Sequence, residues 1–135
     1  AHAMEVEVTR DGDLRFHRVV CAVDVGQPVN PLGIEAQMEG GTIDGLSTAL
    51  NLETTIEGGG VVQRNFADFP LLRMAEAPAR IEVHIVPSTI SRVGCGEIGI
   101  PTAAPALTNA IFAACGVRLR NLPVREQLRE AVRKA

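Results

Sequence analysis

The chain has no tryptophan and no tyrosine, and only four phenylalanines among its 135 residues. Platforms for stacking nucleobases are therefore scarce. The net charge is −3, so the basic footprint of a nucleic-acid binder is missing too. Cysteine is sparse. Cys21, Cys95 and Cys115 are odd in number and widely separated, and no C-x-x-C occurs. Metal or iron–sulfur ligation within the chain is not expected. His2, His17 and His84 also stand alone, without ligand spacing. No apolar run is long enough to cross a bilayer, so no membrane insertion is expected. Ala1-His2-Ala3-Met4 lacks the basic-then-apolar build of a signal peptide. Internal repeats and low-complexity tracts are missing as well.

What is present is a globular composition, 46% hydrophobic and 21% charged. The length suits a single domain, residues 1–135, with a real core. Methionine stands at position 4, and the chain opens almost directly into the alternating run Glu5-Val6-Glu7-Val8-Thr9. That start fits either a few extra residues before a native beginning or a segment from inside a larger polypeptide.

Element signals are clear in places. Glu5–Thr9 reads as a strand, Asp11-Gly12-Asp13 as a hairpin turn, and the Val-rich stretch Leu14–Val25 as a long second strand. Asn30-Pro31 offers an N-cap and an N1 proline for a helix over Leu32–Leu50. Gly58-Gly59-Gly60 is a turn between short strands at Glu53–Glu57 and Val61–Arg64. Asn65–Pro78 is irregular, and Ile81–Val86 alternates as a strand. Ala106–Cys115 reads as a helix with Pro105 at its start and Gly116 past its end. Pro123 opens an amphipathic helix with Val124, Leu128, Ala131 and Val132 on one face. The expected class is α+β, a mixed and mostly antiparallel sheet with two or three packed helices. His17 and His84 are expected to face solvent from strands, and Cys21 and Cys115 to be buried.

Two segments carry chemistry. The first helix holds Gly40, Gly41 and Gly45. Each interior glycine costs roughly 0.8–1 kcal/mol relative to alanine, so three cost about 2.5–3 kcal/mol. Close packing on a neighbouring element would offset that. So would the approach of the backbone to a bulky ligand, with Gln37 donating and accepting hydrogen bonds. The second segment is Gly94-Cys95-Gly96-Glu97-Ile98-Gly99. It spells G-x-G-x-x-G, the dinucleotide fingerprint. That motif needs a strand directly before it, a helix directly after it and an acidic residue about twenty positions on. Here several residues separate the strand from Gly94, and Arg118 and Arg120 occupy the later position. Glu97 would also set a negative charge against a pyrophosphate. A carboxylate on a glycine loop is instead a candidate general base, or a solvated loop residue. Cys95 has no local cationic neighbour to make it a nucleophile.

Taken in order, Asp24-Val25-Gly26, Asn30-Pro31, Gln37-Met38-Glu39-Gly40-Gly41, Asn65-Phe66-Ala67-Asp68-Phe69-Pro70, Gly94-Cys95-Gly96-Glu97 and Ala110-Ile111-Phe112-Ala113-Ala114 resemble one known pattern. It is the C-terminal part of the molybdopterin-binding large (β) subunit of the xanthine dehydrogenase family. The resemblance is to the branch of isoquinoline 1-oxidoreductase and bacterial aldehyde dehydrogenases, and it covers Ala1 to about Pro123. It implies a molybdopterin cofactor, with Gln37 hydrogen-bonding to it and Gly40, Gly41 and Gly96 letting the backbone come close. Glu97 would be the base that takes a proton from a water-derived oxygen, which then attacks an electron-poor carbon of an aldehyde or N-heterocycle. Many relatives carry proline after that glutamate, where this chain has Ile98. The implied partners are the remainder of the large subunit and an iron–sulfur small subunit. The 135 residues alone would then be an inactive C-terminal fragment without cofactor, prone to self-association through uncovered apolar surface. A non-catalytic binding module of the same fold, or a small nucleotide- or anion-binding domain using Gly94–Gly99, stand as alternatives. The compartment, bacterial cytoplasm or periplasm, is not specified by the sequence.

Overall fold

The elements run β1 (His2–Val8), β2 (Leu14–Val23), α1 (Pro31–Leu50), β3 (Ile56–Glu57), β4 (Gly60–Val61), β5 (Ile81–Ile85), α2 (Ala103–Cys115) and α3 (Arg125–Arg133). They come from a computed structural model, which describes residues Ala1–Lys134. β1 begins at His2, ahead of the Glu5 start read from the sequence, because the alternation extends back through Met4 into the same ladder. The β1–β2 reversal turns on Gly12 at φ +82°, with Thr9 N–H donating to Asp13 O at 2.9 Å. β1 and β2 pair antiparallel, with a slip between Glu5 and Val6 that leaves His17 as the extra residue. β5 pairs parallel to the other edge of β2, from Val19↔Ile81 to Val23↔Ile85. The sheet is therefore mixed, in the order β1-β2-β5.

β2 ends at Val23 and not at Val25, because Asp24 starts a side-chain turn: its Oδ1 accepts from Gly26 N–H at 3.0 Å. α1 begins where the cap predicts. The Asn30 side chain accepts from Gly33 N–H at 3.1 Å, and Pro31 fills N1. The Gly58-Gly59 turn has φ of +57° and +81°, which suits a two-residue hairpin. Its strands are only two residues each, shorter than expected. Beyond them Val62 N–H still donates to Thr55 O at 2.9 Å, but the Thr55 N–H goes to the Gln63 side chain, at 2.9 Å from Oε1, in place of a backbone carbonyl. α2 starts at Ala103, earlier than Ala106, with Pro105 inside its first turn. Gly116 closes it at φ +74°.

α1 connects two apolar clusters. Leu46, Ala49 and Leu50 join Phe16, Leu107, Ile111, Val124 and Leu128 in the larger one. Ile34 and Met38 join Cys21, Val23 and Val25 in the smaller one. α3 seals the larger cluster and is tied to the β1–β2 hairpin, where Arg129 Nε and Nη2 donate to Asp13 Oδ1 at 2.9 and 2.7 Å. Cys21 is buried as expected, and burial raises its thiol pKa. Cys115 is exposed, contrary to expectation: it is the last residue of α2, one turn beyond the buried Ile111, with its Sγ donating to Ile111 O. His17 and His84 are both exposed, as read from the sequence.

Candidate functional site

The site forms where the N-terminal half of α1 meets the loop between β5 and α2. Gln37 is exposed on that half of the helix. Its Nε2 lies 3.6 Å from the point where a Cβ on Gly96 would stand. Two residues far apart in sequence are thus neighbours. Glu97 follows directly and is exposed, with its backbone carbonyl accepting from Ile100 N–H at 3.0 Å.

The glycines divide by environment. Gly40 is exposed, and a Cβ there would meet nothing within 4 Å. Gly94 is equally open. Gly41 is buried and faces inward: a Cβ would come within 3.3 Å of Gly99 Cα. Gly45 is tighter still, with Ala103 Cβ and Ile100 O each 2.7 Å from its Cβ position. The offset for glycine in α1 is therefore packing at Gly41 and Gly45, whereas Gly40 receives none from this chain.

The loop is not a phosphate cradle of the dinucleotide type. β5 ends at Ile85, well before Gly94, and α2 begins only at Ala103. Gly99, the last glycine of the motif, is used to lie against Met38 O and Gly41 on α1.

Sequence reasoning passed over three residues that the fold brings together here. The His2 ring sits between Thr102 Oγ1, 2.6 Å from Nδ1, and Thr42 Oγ1, 2.8 Å from Nε2. Burial, and then the Ala1 ammonium, push the His2 pKa below its usual value. No local spacing announces this group, since its partners lie 40 and 100 residues from His2. His2, Asp24, Met38, Ile98 and Thr102 line a cleft of about 210 Å³ beside the loop. On the far side of the loop, Val29, Ile34, Val93 and Cys95 line an apolar groove of about 320 Å³. Val29, Leu32, Phe66 and Met74 are strongly exposed, Met74 at 92%. Among the described residues no cluster of three or more His, Cys, Asp or Glu is placed to hold a metal ion. No helix there is long and apolar enough to cross a membrane.

Residues 1–78 match the molybdopterin cofactor-binding domain family. The β subunit of isoquinoline 1-oxidoreductase from Brevundimonas diminuta is 40% identical over 130 residues, covering 96% of this chain and 16% of that protein. A membrane-bound aldehyde dehydrogenase of Gluconacetobacter polyoxogenes, whose name carries pyrroloquinoline quinone, is 41% identical over 122 residues, covering 90% of this chain and 16% of that protein. Among solved structures, the aldehyde oxidoreductase of Desulfovibrio desulfuricans superposes with a TM-score of 0.77 at 26% identity, over 90% of this chain and 14% of that one. The chain thus spans about a sixth of the length of the curated relatives it matches.

Proposed function

This chain belongs to the molybdopterin cofactor-binding domain family, and from that premise we propose that it forms one wall of the cofactor site of a molybdenum hydroxylase and carries its general base, Glu97. In this reading the 135 residues act as part of a larger subunit, together with an iron–sulfur partner, on an aldehyde or N-heterocycle. The single observation that carries it is the Gln37–Gly96–Glu97 juxtaposition beside the open glycine Gly40. A helix glycine with nothing near it lowers stability without a packing return. The return comes if a large planar group lies across that face.

The residues present suit such a group. Gln37 presents an amide that can both donate to and accept from a pterin edge. Gly40, Gly94 and Gly96 leave the backbone bare along the approach. Bound molybdopterin supplies the two-electron oxidation. The chain's own contribution is Glu97, whose carboxylate takes a proton from the attacking water-derived oxygen. The exposed Val29, Leu32, Phe66 and Met74 are surfaces that the remainder of the subunit would cover, and the same surfaces favour self-association of the chain alone.

Two substitutions in the complete subunit test this. Glu97→Gln keeps the shape and loses the base, and should slow turnover by about 10²–10⁴-fold with cofactor still bound. Gln37→Ala should lower cofactor content at purification. A fully loaded Glu97→Gln subunit turning over like wild type would leave the chain as a binding module without the base.

A further inference from the structure

His2 contacts two helices through the two nitrogens of one ring. The direction of each hydrogen bond can be worked out. Thr42 Oγ1 donates its only proton to Met38 O at 2.7 Å. It must then accept from His2, which puts the imidazole proton on Nε2. Nδ1 is left as an acceptor and takes the Thr102 hydroxyl proton. The chain Thr102 to His2 to Thr42 to Met38 O has one polarity, and it requires a neutral ring. Burial favours that form. Facing the ring are Cys21 from β2, Met38 and Thr42 from α1, and Asp24 and Ile98 across the cleft.

Thr102 stands at the N-cap of α2 and makes no side-chain cap bond. Threonine at that position ordinarily accepts from the first turn of its helix. Here the hydroxyl serves the histidine. The same stretch is held at other points: Gly99 lies on Met38 O and Gly41, and Ala103 N–H donates to Ile100 O at 3.2 Å. Gly94, at the other end of the loop, has no neighbour within 4 Å of its Cβ position. On the other side of Glu97 the loop is held to the β2–α1 connection, where Val93 N–H donates to Val25 O at 3.3 Å and Arg92 Nη2 to Gln27 Oε1 at 3.2 Å, so the His2 chain is the anchor on the C-terminal side.

We propose that His2 is a positioning residue: the Thr102–His2–Thr42 chain pins Gly99–Thr102 to the sheet and to α1, and so sets where Glu97 stands. The catalytic part of this rests on the reading of Glu97 as base, while the anchoring part does not.

The test uses the complete subunit with Thr102→Val, which is close to isosteric, Thr102→Ser as the conservative control, and His2→Phe. Hydrogen exchange should rise about tenfold or more in the segment 97–103 of Thr102→Val and stay unchanged in 107–115. Thr102→Ser should exchange like wild type. Nitrogen-15 spectra of the histidine ring should show the proton on Nε2 of His2. In Thr102→Val, kcat should fall roughly 10–100-fold at constant KM and constant cofactor content, as expected for a displaced base. Unchanged exchange in 97–103, an equal rise everywhere, or a proton on Nδ1 would each overturn the anchor. A selective rise in exchange with wild-type kcat would uphold the anchor and overturn its role in setting Glu97, while Glu97→Gln decides separately whether that residue is the base. If His2→Phe does not fold, the threonine pair still decides the matter.

Discussion

Gly45 and Gly40 lie on one helix, and the spaces beside them differ completely. At Gly45 the missing Cβ is occupied by Ala103 and by the Ile100 carbonyl, each 2.7 Å away. At Gly40 there is nothing within 4 Å. The C-terminal half of α1 runs into the cluster of Leu46, Leu50, Leu107 and Ile111. The N-terminal half packs Ile34 and Met38 on the smaller cluster and borders the glycine loop. One helix thus has a glycine position closed by its own chain and another, Gly40, whose face this chain leaves bare. Composition cannot distinguish them, because both ends spend glycine.

That contrast can be broken at several points. The largest effect should come from the closed end. Leu46→Ala leaves a cavity in a fully buried site and should cost about 2–5 kcal/mol in chemical denaturation. A cost under 1 kcal/mol would mean that the larger cluster is not a packed core. Gly45→Ala should destabilise by about 1–3 kcal/mol, because backbone atoms at Ile100 cannot step aside cheaply. Gly40→Ala should have the opposite sign, stabilising by about 0.8–1 kcal/mol while the complete subunit retains less cofactor. If both alanines moved stability in the same direction, the division of α1 into two environments would be wrong.

The smallest effect is a pH dependence from His2. Its pKa is lowered in the folded state. The unfolded chain therefore takes up the proton first as pH drops. The contribution to stability is complete above the unfolded value of 6.5 and is lost as pH falls through the folded value. Denaturation midpoints measured across that window should slope downward toward acid, and the slope should flatten in His2→Phe. An equal slope in both would overturn the assignment of the titration to His2.

Local chemistry in the sequence reached the local structure. Asn30-Pro31 started α1, Gly12 and the Gly58-Gly59 pair made their turns, and Gly116 closed α2. These are decisions taken within a few residues, where side-chain capping and positive φ act. Strand lengths were harder. β3 and β4 stopped early where the Gln63 side chain takes the Thr55 N–H in place of a backbone carbonyl, which no propensity encodes. The parallel partner of β2 was likewise invisible, since register depends on packing across the sheet. For the site, Glu97 stood out as a carboxylate on a glycine loop and Gln37 as an amide on a glycine-rich helix, the resemblance gave them roles, and their proximity through Gly96 emerges only from helix–loop contact. His2 was missed because a histidine flanked by alanines carries no signal of two distant threonines. Gly41 drew attention as a candidate for ligand approach. In the fold it admits Gly99 to the helix surface.

The parallel junction between β2 and β5 also governs the order of assembly. The hairpin β1–β2 and the helix α1 can form from neighbours in the chain. The rung Val19↔Ile81 joins residues roughly sixty positions apart, and closing so long a loop is entropically slow. The glycine loop lies beyond β5, so its path across α1 cannot be settled until that rung exists. We therefore expect Glu97 to reach its place late in folding, and substitutions in β5 to slow formation of the site about in proportion to how far they weaken the finished protein. Refolding kinetics followed at the hairpin and at the loop would show the two ends of the molecule arriving at different times.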